Sequence, residues 1–155
     1  MNICFIACFY KTVLFQRIAK ELEKRIEDIT ISWISTSPKW TNYLTNNGVR
    51  RELITQIAPR DEIQSQDKET AREILAKAEK LNGKSANFIT QSDRIVSHWA
   101  QDRAEEYLLY CTHIINEKIK GERIKIIFGE TTALHETLTA FICKIQGANS
   151  RSRTQ

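Results

Sequence analysis

Between Gly129 and Glu136 the chain places a carboxylate, two hydroxyls and an imidazole within six residues, in the order Glu130-Thr131-Thr132-Ala133-Leu134-His135. These groups suit proton transfer to and from hydroxyls. Glu130 can accept the proton of an attacking sugar hydroxyl as a general base. His135, one helical turn further on, can do the same or orient the carboxylate. Gly129 lets the backbone turn and approach a ligand. The N–H groups of Thr131 to Ala133, with the two threonine hydroxyls, can hold sugar oxygens at a helix N-terminus. The negative charge of Glu130 opposes an anion, so a neutral hydroxylated ligand suits this turn better than a phosphate. The same residues also suit plain capping, in which Glu130 or Thr131 closes a helix N-terminus that favours an acidic group. Glu136 and His135 then sit beside the apolar stripe. A second turn, Tyr10-Lys11-Thr12, carries a phenol, an amine and a hydroxyl, and it also reads as a surface turn with a cap.

The elements around these residues place both turns at strand ends. The apolar run at residues 2–9 reads as a buried strand. Thr12 then caps a helix with Val13, Leu14, Ile18, Leu22 and Ile26 at helical spacing. Residues 29–35 have high strand propensity. Ser37-Pro38 opens a short helix that ends at Asn46-Asn47-Gly48. Residues 53–57 form a short third strand, and a helix opening at Asp67 buries Ala71, Ile74, Leu75, Ala78 and Leu81 before Gly83. The helical pattern of residues 94–120 is longer than a small domain needs, so a break falls near Ser97 to Gln101. A strand at 123–128 and a helix at 131–146 complete the order β-α-β-α-β-α-α-β-α. Such alternation predicts an α/β fold, a Rossmann-like three-layer α/β/α domain with a mostly parallel sheet. Ligands of such sheets bind beyond the carboxyl ends of the strands, where both turns lie. Residues 148–155 are polar and predict a disordered tail, leaving the sheet incomplete at its C-terminal end.

Composition narrows the function further. The chain has 155 residues, 41% hydrophobic and 27% charged, as expected for one globular domain. Its formal net charge is +4, of which Arg151 and Arg153 supply two. Elsewhere Lys and Arg alternate with Asp and Glu, as in Glu21-Leu22-Glu23-Lys24-Arg25, which is a solvated face rather than the one-signed stripe a nucleic acid needs. No nucleic-acid partner is expected. Cys4, Cys8, Cys111 and Cys143 form no CxxC pair and have no paired histidines, so neither metal nor disulfide is expected, and they read as small buried residues in a reducing compartment. The N-terminal run lacks the features of a signal peptide, and no run is long enough to cross a bilayer. The expected location is cytoplasmic, with peripheral membrane contact allowed. No GxGxxG follows the first strand, no P-loop or GxSxG exists, and the acidic residues of a receiver domain are missing. No cofactor is expected.

Strand, Phe128-Gly129-Glu130-Thr131-Thr132, then a helix with His135-Glu136 resembles the amino-terminal domain of bacterial capsular-polysaccharide glycosyltransferases with two Rossmann-like domains (the GT-B type). The preceding helix with Trp99, Tyr107 and Leu108 is similar to that group as well. The same segment is distantly similar to the strand–Gly-Asp-Thr-Thr–helix of UDP-N-acetylglucosamine 2-epimerases. The resemblance spans most of residues 1–147 and is specific over about 120–147. It implies an acceptor-binding domain at 1–147, with a nucleotide-sugar donor held by a second domain or chain. It also implies a sugar acceptor, including a lipid-linked one, and Glu130 and His135 as catalytic groups. Tyr10, Lys11, Thr12, Gly129, Thr131, Thr132 and Glu136 would bind substrate. Relatives of this type continue into a further strand and a second domain, so the chain reads as a truncated enzyme, inactive alone. A stand-alone Rossmann-like binding module and a fragment of a UDP-sugar epimerase are the alternatives.

Overall fold

The computed structural model describes residues 1–57, 64–83, 85, 87–91, 93–129 and 134–152. Its elements are β1 (Asn2–Ala7), α1 (Thr12–Arg25), β2 (Thr30–Ser35), α2 (Pro38–Asn46), β3 (Ile54–Gln56), α3 (Ser65–Asn82), α4 (Asn87–Gln91), α5 (Gln101–Gly121), β4 (Ile126–Gly129), α6 (Leu134–Gln146) and β5 (Asn149–Ser152). The strands form one sheet in the order β3-β2-β1-β4-β5. Every pairing is parallel, with Phe5 opposite both Trp33 and Phe128.

Alternation along β1 separates two apolar layers. Cys4 and Ile6 face a core shared with Ala71 and Leu75 of α3, Leu108, Cys111 and Ile115 of α5, and Leu138 and Ile142 of α6. Ile3, Phe5 and Ala7 face the opposite core, closed by Phe15 and Ala19 of α1 and by Trp40 and Leu44 of α2. Phe5 stacks on Trp33 and on Phe128 with ring centroids 5.1 and 5.0 Å apart. A strand covered on both faces reads as a continuous apolar run, as β1 does. The fold is therefore the expected three-layer Rossmann-like α/β/α arrangement.

Several local expectations are corrected. Thr12 is not the N-cap of α1: Lys11 takes that position without a side-chain bond, and Thr12 is the first helical residue. Its Oγ1 is buried with no hydrogen-bond partner among the described residues. The inward stripe of α1 runs through Phe15, Gln16 and Ala19, while Ile18 is exposed. Leu81, assigned to the buried face of α3, is exposed at the helix end. His113 is half-buried, with Nε2 3.8 Å from Asp67 Oδ2. Ser37 does cap α2, accepting from Trp40 N at 3.4 Å with Pro38 in the first helical position. The long helical pattern breaks as expected, with a 3-10 turn at Val96–His98 ahead of α5.

The largest correction concerns the tail. Residues 149–152 are not disordered but form β5, parallel to β4. Gly147 adopts φ +73°, and Ala148 N donates to Cys143 O, which turns the chain off α6 toward the sheet. Parallel pairing draws on backbone N–H and C=O groups alone, so the polar run Asn149-Ser150-Arg151-Ser152 can serve as an edge strand. Residues 153–155 lie outside the described residues.

Candidate functional site

The strand order locates the site. From β1 the chain moves through α1 to β2 on one side, and the crossover from β3 through α3, α4 and α5 returns it to β4 on the other side of β1. The order reverses between β1 and β4, and the crevice beyond their carboxyl ends is where α/β sheets of this kind take ligands. Cys8 to Thr12 leave β1 there, and Gly129 ends β4 there.

Gly129 is required by close packing. A Cβ built on it would lie 2.7 Å from Glu136 Cγ and 3.3 Å from Ile6 Cδ1. Glu136 is itself only 6% exposed, so its Cγ has little room to withdraw. Gly129→Ala is expected to destabilise the fold by about 1–3 kcal/mol through overpacking, read as a lower midpoint in urea. A shift below 0.5 kcal/mol would show that the first turn of α6 slides freely over the strand.

His135 is the centre of a buried cluster. It lies on the first turn of α6 and is 9% exposed. Its Nε2 is 2.7 Å from Tyr107 Oη on α5, and its Nδ1 is 4.0 Å from Cys8 Sγ at the end of β1. A Tyr107 hydroxyl donating to Nε2 leaves the ring proton on Nδ1, facing the sulfur, and the reverse tautomer donates Nε2–H to the phenol oxygen. Either way the imidazole is neutral. Burial lowers its pKa to about 4, against the opposing pull of the Asp93 carboxylate. Burial likewise pushes the Tyr107 phenol well above its ordinary range, with Cys111 and Cys8 adding to the effect. The Tyr107 ring meets Trp99 at 61° and His135 at 84°, and Arg103 lies over the Trp99 ring 4.1 Å from its centroid. Both nitrogens of His135 thus face protein groups, and a base with a pKa near 4 has little proton affinity at neutral pH. This geometry suits a positioning residue that locks α6 to α5 and β1.

Asp93 completes the anchorage from a distant part of the chain. Its Oδ1 accepts from Ile95 N and Val96 N at 2.9 Å each, and its Oδ2 accepts from Leu134 N at 3.0 Å. Leu134 is the first residue of α6, so Asp93 satisfies one of the helix's orphan N–H groups from 41 residues away. Partial burial raises the Asp93 pKa, but bonds from Val96, Leu134 and Ile95 outweigh it and hold the carboxyl below its usual value.

The structure therefore brings Gly129, His135 and Glu136 together with Cys8, Tyr107 and Asp93. Glu130, Thr131 and Thr132 lie outside the described residues. Tyr10 points elsewhere: it is 76% exposed and packs edge-on against Trp40 of α2, with centroids 5.6 Å apart. Lys11 is half-buried as the N-cap residue of α1. Sequence reasoning read Cys8 only as a small apolar residue and did not single out Asp93. A lone aspartate among polar residues carries no signal of a bond 41 positions away.

A cavity of about 680 Å³ lies at the opposite end of the sheet. Lys20, Asp28, Ile31, Val49, Arg50 and Leu53 line it, beside the amino ends of β2 and β3. It is open, and it sits where strand amino ends offer no helix N-termini, so the β1/β4 crevice is the stronger candidate. Among the described residues no group of three His, Cys, Asp or Glu could hold a metal ion, and no helix is long and apolar enough to cross a membrane. Cys4, Cys111 and Cys143 are free thiols, and burial pushes the pKa of Cys4 up to about 12 and that of Cys143 up to about 11.

No family model, no curated protein and no solved structure matches the chain.

Proposed function

We propose that the chain is the acceptor-binding half of a glycosyltransferase acting on surface polysaccharide, with the saccharide seated in the β1/β4 crevice. One observation carries the reading: Gly129, the first turn of α6 and the turn after β1 converge at the sheet's topological switch point. The turn after β1, Cys8-Phe9-Tyr10-Lys11-Thr12, lacks the glycines that let a backbone cradle a pyrophosphate. A hydroxylated ligand suits the crevice better than a nucleotide.

Within this reading Glu130, directly after Gly129, is the general base that takes the proton from the acceptor hydroxyl. Thr131 and Thr132 hold neighbouring hydroxyls. His135 sets the position of α6, so that Glu136 stays packed over Gly129. Glycosyl transfer requires donor and acceptor in line, and the nucleotide-sugar donor comes from a second domain or chain. The acceptor class includes lipid-linked sugars, which would bring the protein to a membrane surface from the cytoplasm.

The test is a pair of measurements on the purified protein. N-acetylglucosamine should bind with millimolar affinity, and UDP-N-acetylglucosamine should show no turnover, alone or with that acceptor. Turnover by the chain alone would contradict the division of labour, and absence of any saccharide binding would contradict the reading as a whole.

A further inference from the structure

At the same carboxyl edge of the sheet, Tyr10 and Lys39 form an exposed pair between the turn after β1 and the first turn of α2. Lys39 lies on the first turn of α2, its Nζ 3.3 Å from Tyr10 Oη, 4.5 Å from the Tyr10 ring centroid and 5.0 Å from the Trp40 centroid. Trp40 is buried and meets Tyr10 at 89° and Tyr43 at 77°, so the pair stands on a fixed base. Tyr10 keeps most of its surface in water, and Phe9 beside it is 44% exposed. Both therefore present aromatic surface to water in the turn that leaves β1.

The charge at this patch is unbalanced. An ammonium carries three donors, and Tyr10 Oη takes one of those of Lys39. Among the described residues no carboxylate lies within 4.0 Å of Lys39 Nζ, as is also true of Lys20 and Lys77. The remaining donors can bond an anion beside an aromatic face. Tyr10 stands two residues from Cys8, whose sulfur touches His135. The pair therefore stands at the carboxyl end of β1, beside the crevice.

We infer that Tyr10 and Lys39 form a subsite for an anionic saccharide, with the C–H face of the sugar on the tyrosine ring and its carboxylate or phosphoryl group on the lysine. The inference rests on the saccharide reading above and names the class of sugar. The aromatic ring supplies affinity for any pyranose, and the ammonium bonds the anionic oxygens of an acidic sugar more strongly than neutral hydroxyls.

The test compares glucose, glucuronic acid and glucose 6-phosphate as ligands of the whole chain at low ionic strength, followed by NMR. At least one of the two anions should bind about 5- to 10-fold more tightly than glucose. The anion preferred tells whether the lysine reads a carboxylate or a phosphoryl group. Lys39→Gln should abolish that preference while glucose affinity stays the same, and Tyr10→Ala should weaken all three by a similar factor. Both side chains are exposed, and unchanged melting temperatures would confirm that the variants fold. About 1 M salt should reduce the preference in the unaltered protein, because the Debye length is then only about 3 Å. Equal affinities for all three sugars, or a preference that survives Lys39→Gln, would overturn the subsite and leave the acceptor reading standing. No binding of any of the three would overturn both.

Discussion

Acidification from pH 7 to pH 4 is expected to cost this protein roughly 3 kcal/mol of stability through His135 alone. Burial lowers the imidazole pKa from 6.5 to about 4 in the folded state, while the unfolded chain keeps the ordinary value. The unfolded state therefore binds the proton more readily at every pH between the two values. The neutral imidazole's contribution to stability is complete above about 6.5, declines as the pH falls toward 4, and is lost below the folded pKa. Urea unfolding at intervals between pH 7.5 and pH 4 should show this decline. His135→Gln should be less stable at neutral pH and should lose the slope across the same window. The lowered pKa of Asp93 acts elsewhere: its contribution is present above about 3.8 and disappears only as the pH falls below that value. Tyr107→Phe should cost about 1–3 kcal/mol at pH 7, since it leaves a buried ring nitrogen without its partner. Indistinguishable pH profiles for the protein and His135→Gln would mean that the imidazole is hydrated rather than locked between α5 and β1.

Asp93→Ala is expected to destabilise the protein by about 2–4 kcal/mol. One carboxylate accepts three backbone N–H bonds, and truncation removes all three acceptors at once. Two of them shape the turn into the 3-10 segment at Val96–His98, and the third closes the N-terminus of α6, where the helix dipole favours a negative charge. The loss should therefore be local as well as global: amide exchange at Leu134 should speed up more than exchange in β1. Asp93→Asn keeps one carbonyl oxygen and loses the charge, so it should fall between the two. Equal stability of Asp93→Ala and the parent would show that water replaces the carboxylate at no cost, and α6 would then need another anchor.

Strand and helix periodicity made most of the architecture legible. β1 read clearly because both its faces are buried, and α2 because Ser37 and Pro38 occupy the positions that capping chemistry favours. The break between the 3-10 turn and α5 followed from length alone. β5 was illegible because an edge strand is held by backbone bonds, and Asn149-Ser150-Arg151-Ser152 has no apolar face to announce it. The stripe of α1 was misplaced by one step because Ile18 and Phe15 both fit helical spacing, and spacing cannot tell which flank meets the sheet.

The site was half legible. Gly129, His135 and Glu136 stood out as polar or special residues at a strand end. Their physical roles did not, because those depend on Tyr107 and Asp93, which come 28 and 41 residues earlier in the chain. An imidazole flanked by threonines and a glutamate reads as chemistry in sequence. Its burial beneath Tyr107 and Cys8 makes it part of the frame.

In the proposed function the saccharide sits in the β1/β4 crevice. The direct measurement is a map of backbone amide shifts in isotope-labelled protein as N-acetylglucosamine is added. The shifts should cluster at Cys8, Tyr10, Gly129, His135 and Glu136, at the carboxyl ends of β1 and β4, and should be lost in Gly129→Ala. Shifts confined to Lys20, Asp28, Val49 and Arg50, around the cavity at the other end of the sheet, would contradict it.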